Sequence, residues 1–216
     1  MSWLTQTLFS SLGKKYVMAC SGLLLGGFLV VHAAGNSSIF FGREAFLSYA
    51  KHLHALGPLL HAAELGLLFV FLAHVITATV LFFQNLGARA DRYAVRASAG
   101  GRSWGSATMP WTGIIIFCFL VMHLLNVHFT DHSRTIADIV TDVLNRPLYT
   151  FLYGIGLGAL GLHVSHGFWS MFQSLGINHP RYNGVIRFIA WLVCGLVVGV
   201  FVLIILALLI NSSLLT

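Results

Sequence analysis

Five apolar runs, at about 16–35, 59–83, 110–128, 148–172 and 186–210, constrain this chain more than any other feature. Each has the ~20 residues that a helix rising ~1.5 Å per residue needs to cross ~30 Å of hydrocarbon. Inside a bilayer the backbone has no water to bond, so runs of this length fold as helices. The reading is an all-α integral membrane protein, a single five-helix bundle over residues 1–216. Pro58, Pro110 and Pro147 stand at or just before the starts of three runs, where a helix tolerates proline.

Composition agrees. Only 8% of residues are charged, against roughly 25% in soluble domains. The 12 lysines and arginines lie near the ends of the runs, so they mark membrane edges and not a nucleic-acid surface. With the N-terminus inside, Lys14, Lys15, Arg89, Arg92, Arg96, Arg102, Arg181 and Arg187 fall on the inner side. Arg43, Lys51, Arg134 and Arg146 fall outside. The positive-inside rule therefore favours a cytoplasmic N-terminus and an external C-terminus.

Between the runs, REAFLSYAKHLHAL (43–56) suits a short interfacial helix, and RADRYAVRASAGGRSW (89–104) is the most polar loop. No internal repeat is evident. Lys14 and Lys15 before an apolar run imitate a signal peptide, but the run is long and four more follow. Cys20, Cys118 and Cys194 are isolated within apolar runs and read as buried small hydrophobes. No CxxC or CxxCH occurs, which speaks against an iron–sulfur cluster or covalently attached haem on this chain.

The chain carries eleven histidines. His52, His54, His132 and His179 fall in loops or interfaces, and His61 and His128 near run ends. His32, His74, His123, His163 and His166 lie within the spans, where imidazole is costly unless its nitrogens are satisfied. Counted at ~1.5 Å per residue, His74 and His163 lie roughly 14 Å from the inner boundary, and His32 and His123 roughly 20–24 Å. Four histidines on four helices thus sort into two layers of two. That is what two bis-histidine b-type haems require, one imidazole nitrogen on iron and the other bonded to the protein. His166, three residues after His163, is an alternative ligand or a haem-associated group.

The stretches SSLGKKYVMACSGL, LVVHAAGN, FLAHVITA, VMHLLNVH and GLHVSHGFWSMFQSLG occur in that order along the chain. Together they resemble the cytochrome b membrane-anchor subunit of succinate:quinone oxidoreductases, the family of succinate dehydrogenases and menaquinol:fumarate reductases. The likeness is to the branch with five helices and two haems in one polypeptide, and covers nearly the whole chain. The resemblance implies a five-helix bundle enclosing two haem b, His74 with His163 on the proximal haem and His32 with His123 on the distal one. His163 is favoured over His166 because the family's ligand lies four residues before the glycine of a G-x-W-S-like segment, here Gly167.

It further implies a bacterial cytoplasmic membrane and electron transfer between an iron–sulfur subunit and (mena)quinone. A flavoprotein subunit with covalent FAD performs the dicarboxylate chemistry. FAD and iron–sulfur clusters belong to those partners, and this chain contributes to an enzyme without binding the dicarboxylate. Where some relatives carry a glutamate two residues before the ligand that His163 matches, Gly161 stands here. Glu64, the one acidic residue within a run, lies three residues after His61, and this pair is the candidate quinone site, the other reading being that Glu64 caps the helix start or bonds a haem edge. Two other readings stand beside this one. A hydrogenase or formate dehydrogenase cytochrome b also uses intramembrane histidines, though not one on each of the first four helices. A transporter with a histidine relay predicts broken helices and several intramembrane charges. The direction of catalysis, the quinone and the oligomeric state are open.

Overall fold

The computed structural model describes residues 2–87, 104–131, 133–177, 179–211 and 214–215. Arg89, Arg92, Arg96, Arg102, the polar loop up to Ser103, and His132 lie outside them. Among the described residues the structure is all-helical: α1 (Trp3–Phe9), α2 (Ser11–Asn36), a 3-10 turn (Ser37–Phe41), α3 (Arg43–His54), α4 (Pro58–Gly87), α5 (Trp104–Val127), α6 (Ile136–Leu144), α7 (Pro147–Ser174) and α8 (Pro180–Ile210). Five of these, α2 with its 3-10 extension, α4, α5, α7 and α8, are long and apolar enough to cross a membrane. The chain is a multi-pass helical membrane protein, and α3 is the short helix expected over 43–56.

The helices overrun the apolar runs because capping, not hydropathy, ends them. Ser10 accepts the Gly13 N–H at 3.0 Å and starts α2 five residues early. His179 does the same for α8, accepting from the Arg181 N–H at 3.2 Å. Pro58 and Pro147 open α4 and α7 as expected, but Pro110 does not open α5. It lies inside that helix, six residues past Trp104. There it deprives one carbonyl of its N–H near the helix start, where that loss costs least. Cys20 and Cys118 are exposed on the chain's surface, and only Cys194 is buried.

Helix α6 lies between two apolar runs, outside the five spans. Its signal is a capping box: Thr135 accepts the Asp138 N–H at 3.3 Å, and its hydroxyl bonds the Asp138 carboxylate at 2.6 Å. The helix closes one end of the bundle together with α3, the 3-10 turn and the end of α8. Ile39, Phe46, Ala137, Leu144, Ile204, Leu208 and Leu215 form the buried core of this cap. Arg43 locks it, pairing with Asp138 at 2.9 Å, donating to Thr135 Oγ1 at 3.2 Å and to the Leu215 carbonyl. The Arg43 hydrogen bond, then that of Thr135, holds the Asp138 carboxyl down at about 2.

Within the spans the packing is different. The close pairings are α5 with α7, α7 with α8, and α2 with both α4 and α7. Helix α4 has no buried residue and α5 has only Thr112. Lipid tails are as apolar as leucine, so no hydrophobic force draws these helices together. The largest buried side-chain cluster therefore forms at the cap, and within the spans the buried residues lie mainly on α2, α7 and α8.

Candidate functional site

Four histidines meet in pairs between the spans. His74 on α4 faces His163 on α7, ring centroids 6.4 Å apart and planes at 65°. Nearer the cap, His32 on α2 faces His123 on α5 at 6.0 Å and 83°. We call these the far pair and the cap-side pair. Neither α4 with α7 nor α2 with α5 is among the close helix pairings, so each histidine pair joins helices that are not packed side by side.

Every one of these rings has its Nδ1 turned to a neighbour. Ser21 Oγ lies 3.0 Å from His74 Nδ1, and Thr112 Oγ1 lies 3.1 Å from His163 Nδ1. Tyr153 Oη is 3.2 Å from His123 Nδ1, and Asn36 Nδ2 is 3.4 Å from His32 Nδ1. Aromatic rings wall the cap-side pair: Phe28 and Phe201 flank His32, and Phe119 stacks on His123. The far pair has hydroxyls and glycines instead. A Cβ added at Gly22 would stand 3.5 Å from His74 Cε1, and one at Gly113 would stand 3.6 Å from His163 Cε1.

These partners reveal a repeat that the sequence reading missed. Ser21-Gly22 precedes His32 on α2 as Thr112-Gly113 precedes His123 on α5, with eleven residues from hydroxyl to histidine in both. Eleven residues are three turns plus ~20°, so hydroxyl and histidine share a face ~16 Å apart along the axis. Both α2 and α5 thus present their own histidine to one layer and a hydroxyl to the other. The spacing was visible in the sequence, but serine and threonine in membrane helices ordinarily bond their own backbone and attract no notice.

What can two imidazoles at this separation hold? A direct N–H···N hydrogen bond would draw the centroids to ~5.1 Å. An atom bonded ~2.0 Å from one nitrogen of each ring, with each ring centre ~1.1 Å further on, gives ~6.2 Å. The observed 6.4 and 6.0 Å bracket the second value. Edge-to-face packing alone spans ~4.5–7 Å, so the separation gains its weight from helices that are not packed side by side and from the outward-turned Nδ1 atoms. Among the described residues no group of three or more His, Cys, Asp and Glu gathers as a naked ion would need. Two nitrogens per site suit a metal whose other ligands come from a planar macrocycle, and the donor set fits haem.

The remaining predicted residues fall elsewhere. His166 lies one turn from His163 and packs against α5, where a Cβ on Gly105 would come 2.6 Å from its own Cβ. The ring facing His74 is that of His163. His61 Nδ1 and Glu64 Oε2 are 3.1 Å apart in the first turns of α4, with both side chains exposed. They bond each other. His52 and His54 bond carbonyls of their own helix, and His179 caps α8. Tyr153, Ser21, Thr112 and Asn36 are the site residues that sequence reasoning did not name.

No family of known proteins, no curated protein and no solved structure matches this chain.

Proposed function

We propose that this chain is the cytochrome b membrane-anchor subunit of a succinate:quinone oxidoreductase, carrying two haem b. The observation behind the reading is the pair of facing imidazole couples at 6.4 and 6.0 Å, on helices that are not packed side by side. His74 and His163 would hold one haem, and His32 and His123 the other. Bound there, haem supplies one-electron redox chemistry that no side chain of this bundle offers. The protein's part is to present an imidazole nitrogen from each side, to fix each ring through Nδ1, and to keep the region dry with aliphatic and aromatic walls.

With two sites ~16 Å apart along the helix axes, electrons have two stations within the bilayer. An iron–sulfur subunit would exchange electrons at one face, and a flavoprotein subunit with FAD would interconvert succinate and fumarate. A membrane quinone, menaquinone by resemblance, is the other electron partner. It gains or loses protons with its electrons, so its site needs titratable groups that reach water. His61 and Glu64, exposed and bonded to each other, are the groups proposed for that task. The proposed setting is a bacterial cytoplasmic membrane with the N-terminus inside.

A reduced-minus-oxidised spectrum of the purified chain, with haem counted per polypeptide, is the test. Two haems per chain are expected, with copurification of flavin- and iron–sulfur-bearing subunits. A colourless protein overturns the proposal. Haem with a hydrogenase or formate dehydrogenase as partner would move the chain to that class instead.

A further inference from the structure

The far pair differs from the cap-side pair in what its Nδ1 atoms meet, and the difference decides where the ring protons sit. Ser21 Oγ lies 2.7 Å from the Val17 carbonyl, and Thr112 Oγ1 lies 3.0 Å from the Thr108 carbonyl. A carbonyl only accepts, so each hydroxyl's single hydrogen is drawn to the helix backbone four residues back. What the hydroxyl then offers the imidazole is a lone pair. Nδ1 must be the donor, and neutral imidazole carries one N–H only. Nε2 is left with a free lone pair.

We infer that Ser21 and Thr112 are positioning residues that hold His74 and His163 in the Nδ1–H tautomer, leaving both Nε2 atoms ready to bind a metal. The inference rests on the proposed haem role for its purpose, though the tautomer itself does not depend on it. A relay from ring to hydroxyl to carbonyl is built on both α2 and α5, and on α2 the Met18 backbone carbonyl is a further acceptor for His74. The neighbouring glycine lies against the Cε1 edge of the same ring both times. The cap-side pair has no such relay. His123 meets a phenol, and Asn36 Nδ2 makes its shorter bond, 2.9 Å, to the His32 carbonyl.

An Nδ1–H that donates makes the opposite nitrogen more basic, which favours ferric over ferrous iron. Removing the acceptor raises the reduction potential. The experiment compares Ser21→Ala and Thr112→Val with the conservative Ser21→Thr and Thr112→Ser in the whole chain with its bound haem. Each apolar variant is expected to raise the midpoint potential of one haem, leave the other unmoved, and keep the haem count. The hydroxyl-retaining variants are expected to restore the original value. Histidine-15N spectra of the chain in bilayers, haem-free, should place the proton of His163 on Nδ1 and lose that signature in Thr112→Val. Unmoved potentials in both apolar variants, or a proton on Nε2 in the unsubstituted chain, overturn the inference. If the chain binds no haem, the proposed function fails by itself and the nitrogen spectra still decide the tautomer.

Discussion

Replacing His163 with leucine removes one ring of the far pair and leaves its surroundings nearly intact. If the ring has only a structural role, its loss is small. One hydrogen bond to a neutral hydroxyl contributes roughly 1 kcal/mol, and Thr112 keeps its bond to the Thr108 carbonyl, so no buried polar group is orphaned. Leucine is close in size and apolar, which offsets part of even that loss in a lipid-facing bundle. Haem reading and structural reading therefore diverge in kind. The first predicts that the count falls from two haems per chain to one, the cap-side haem remaining because His32 and His123 are ~16 Å away along the bundle. The second predicts a melting shift of a degree or two and no change in colour. Pyridine haemochrome against protein mass gives the count, and a redox titration shows which component disappeared. His166→Leu is the control, because its ring is not the one facing His74. A His163→Leu protein that retains both haems would refute the pairing, whatever its stability.

Three further outcomes follow from the geometry. Gly156→Ala drives a Cβ to within 2.5 Å of the Phe119 ring, and Phe119 packs on both His123 and Tyr153. Overpacking of this kind costs about 1–3 kcal/mol, and a lowered occupancy of the cap-side site alone, read by spectral titration, is expected. Asp138, held at about 2 against ~3.9 when unfolded, stabilises the cap above pH ~4 and loses that contribution as the pH falls toward 2. Thermal unfolding in detergent from pH 7 to 2 should show this acid loss, and Asp138→Asn should start lower and flatten it. Glu64→Gln removes the carboxylate bonded to His61, and quinone reduction should slow with haem count unchanged; unaltered turnover would take Glu64 out of the quinone site.

Depth along a membrane helix is a one-dimensional quantity, and the sequence by itself determined it. Five runs of sufficient length, a fixed rise per residue and a start near a proline or cap were enough to sort His32, His74, His123 and His163 into two layers. The six-residue error at the start of α5 did not disturb the sorting, because the earlier start moves His123 ~9 Å further from the other layer and widens the separation. Direction around each helix is another matter. The spans are apolar on all sides, so no polar stripe told which face of α7 carries the interior, and His163 and His166 were separable only by resemblance. Tertiary structure decided that His163 turns to His74, that Pro110 lies within α5, and that α6 and Arg43 close the cap. It also brought Ser21 to His74 and Thr112 to His163, contacts between residues 53 and 51 positions apart. Such contacts depend on which helices become neighbours, and among uniformly apolar surfaces that choice rests on packing shape and a few hydrogen bonds, which leave little trace in the order of residues.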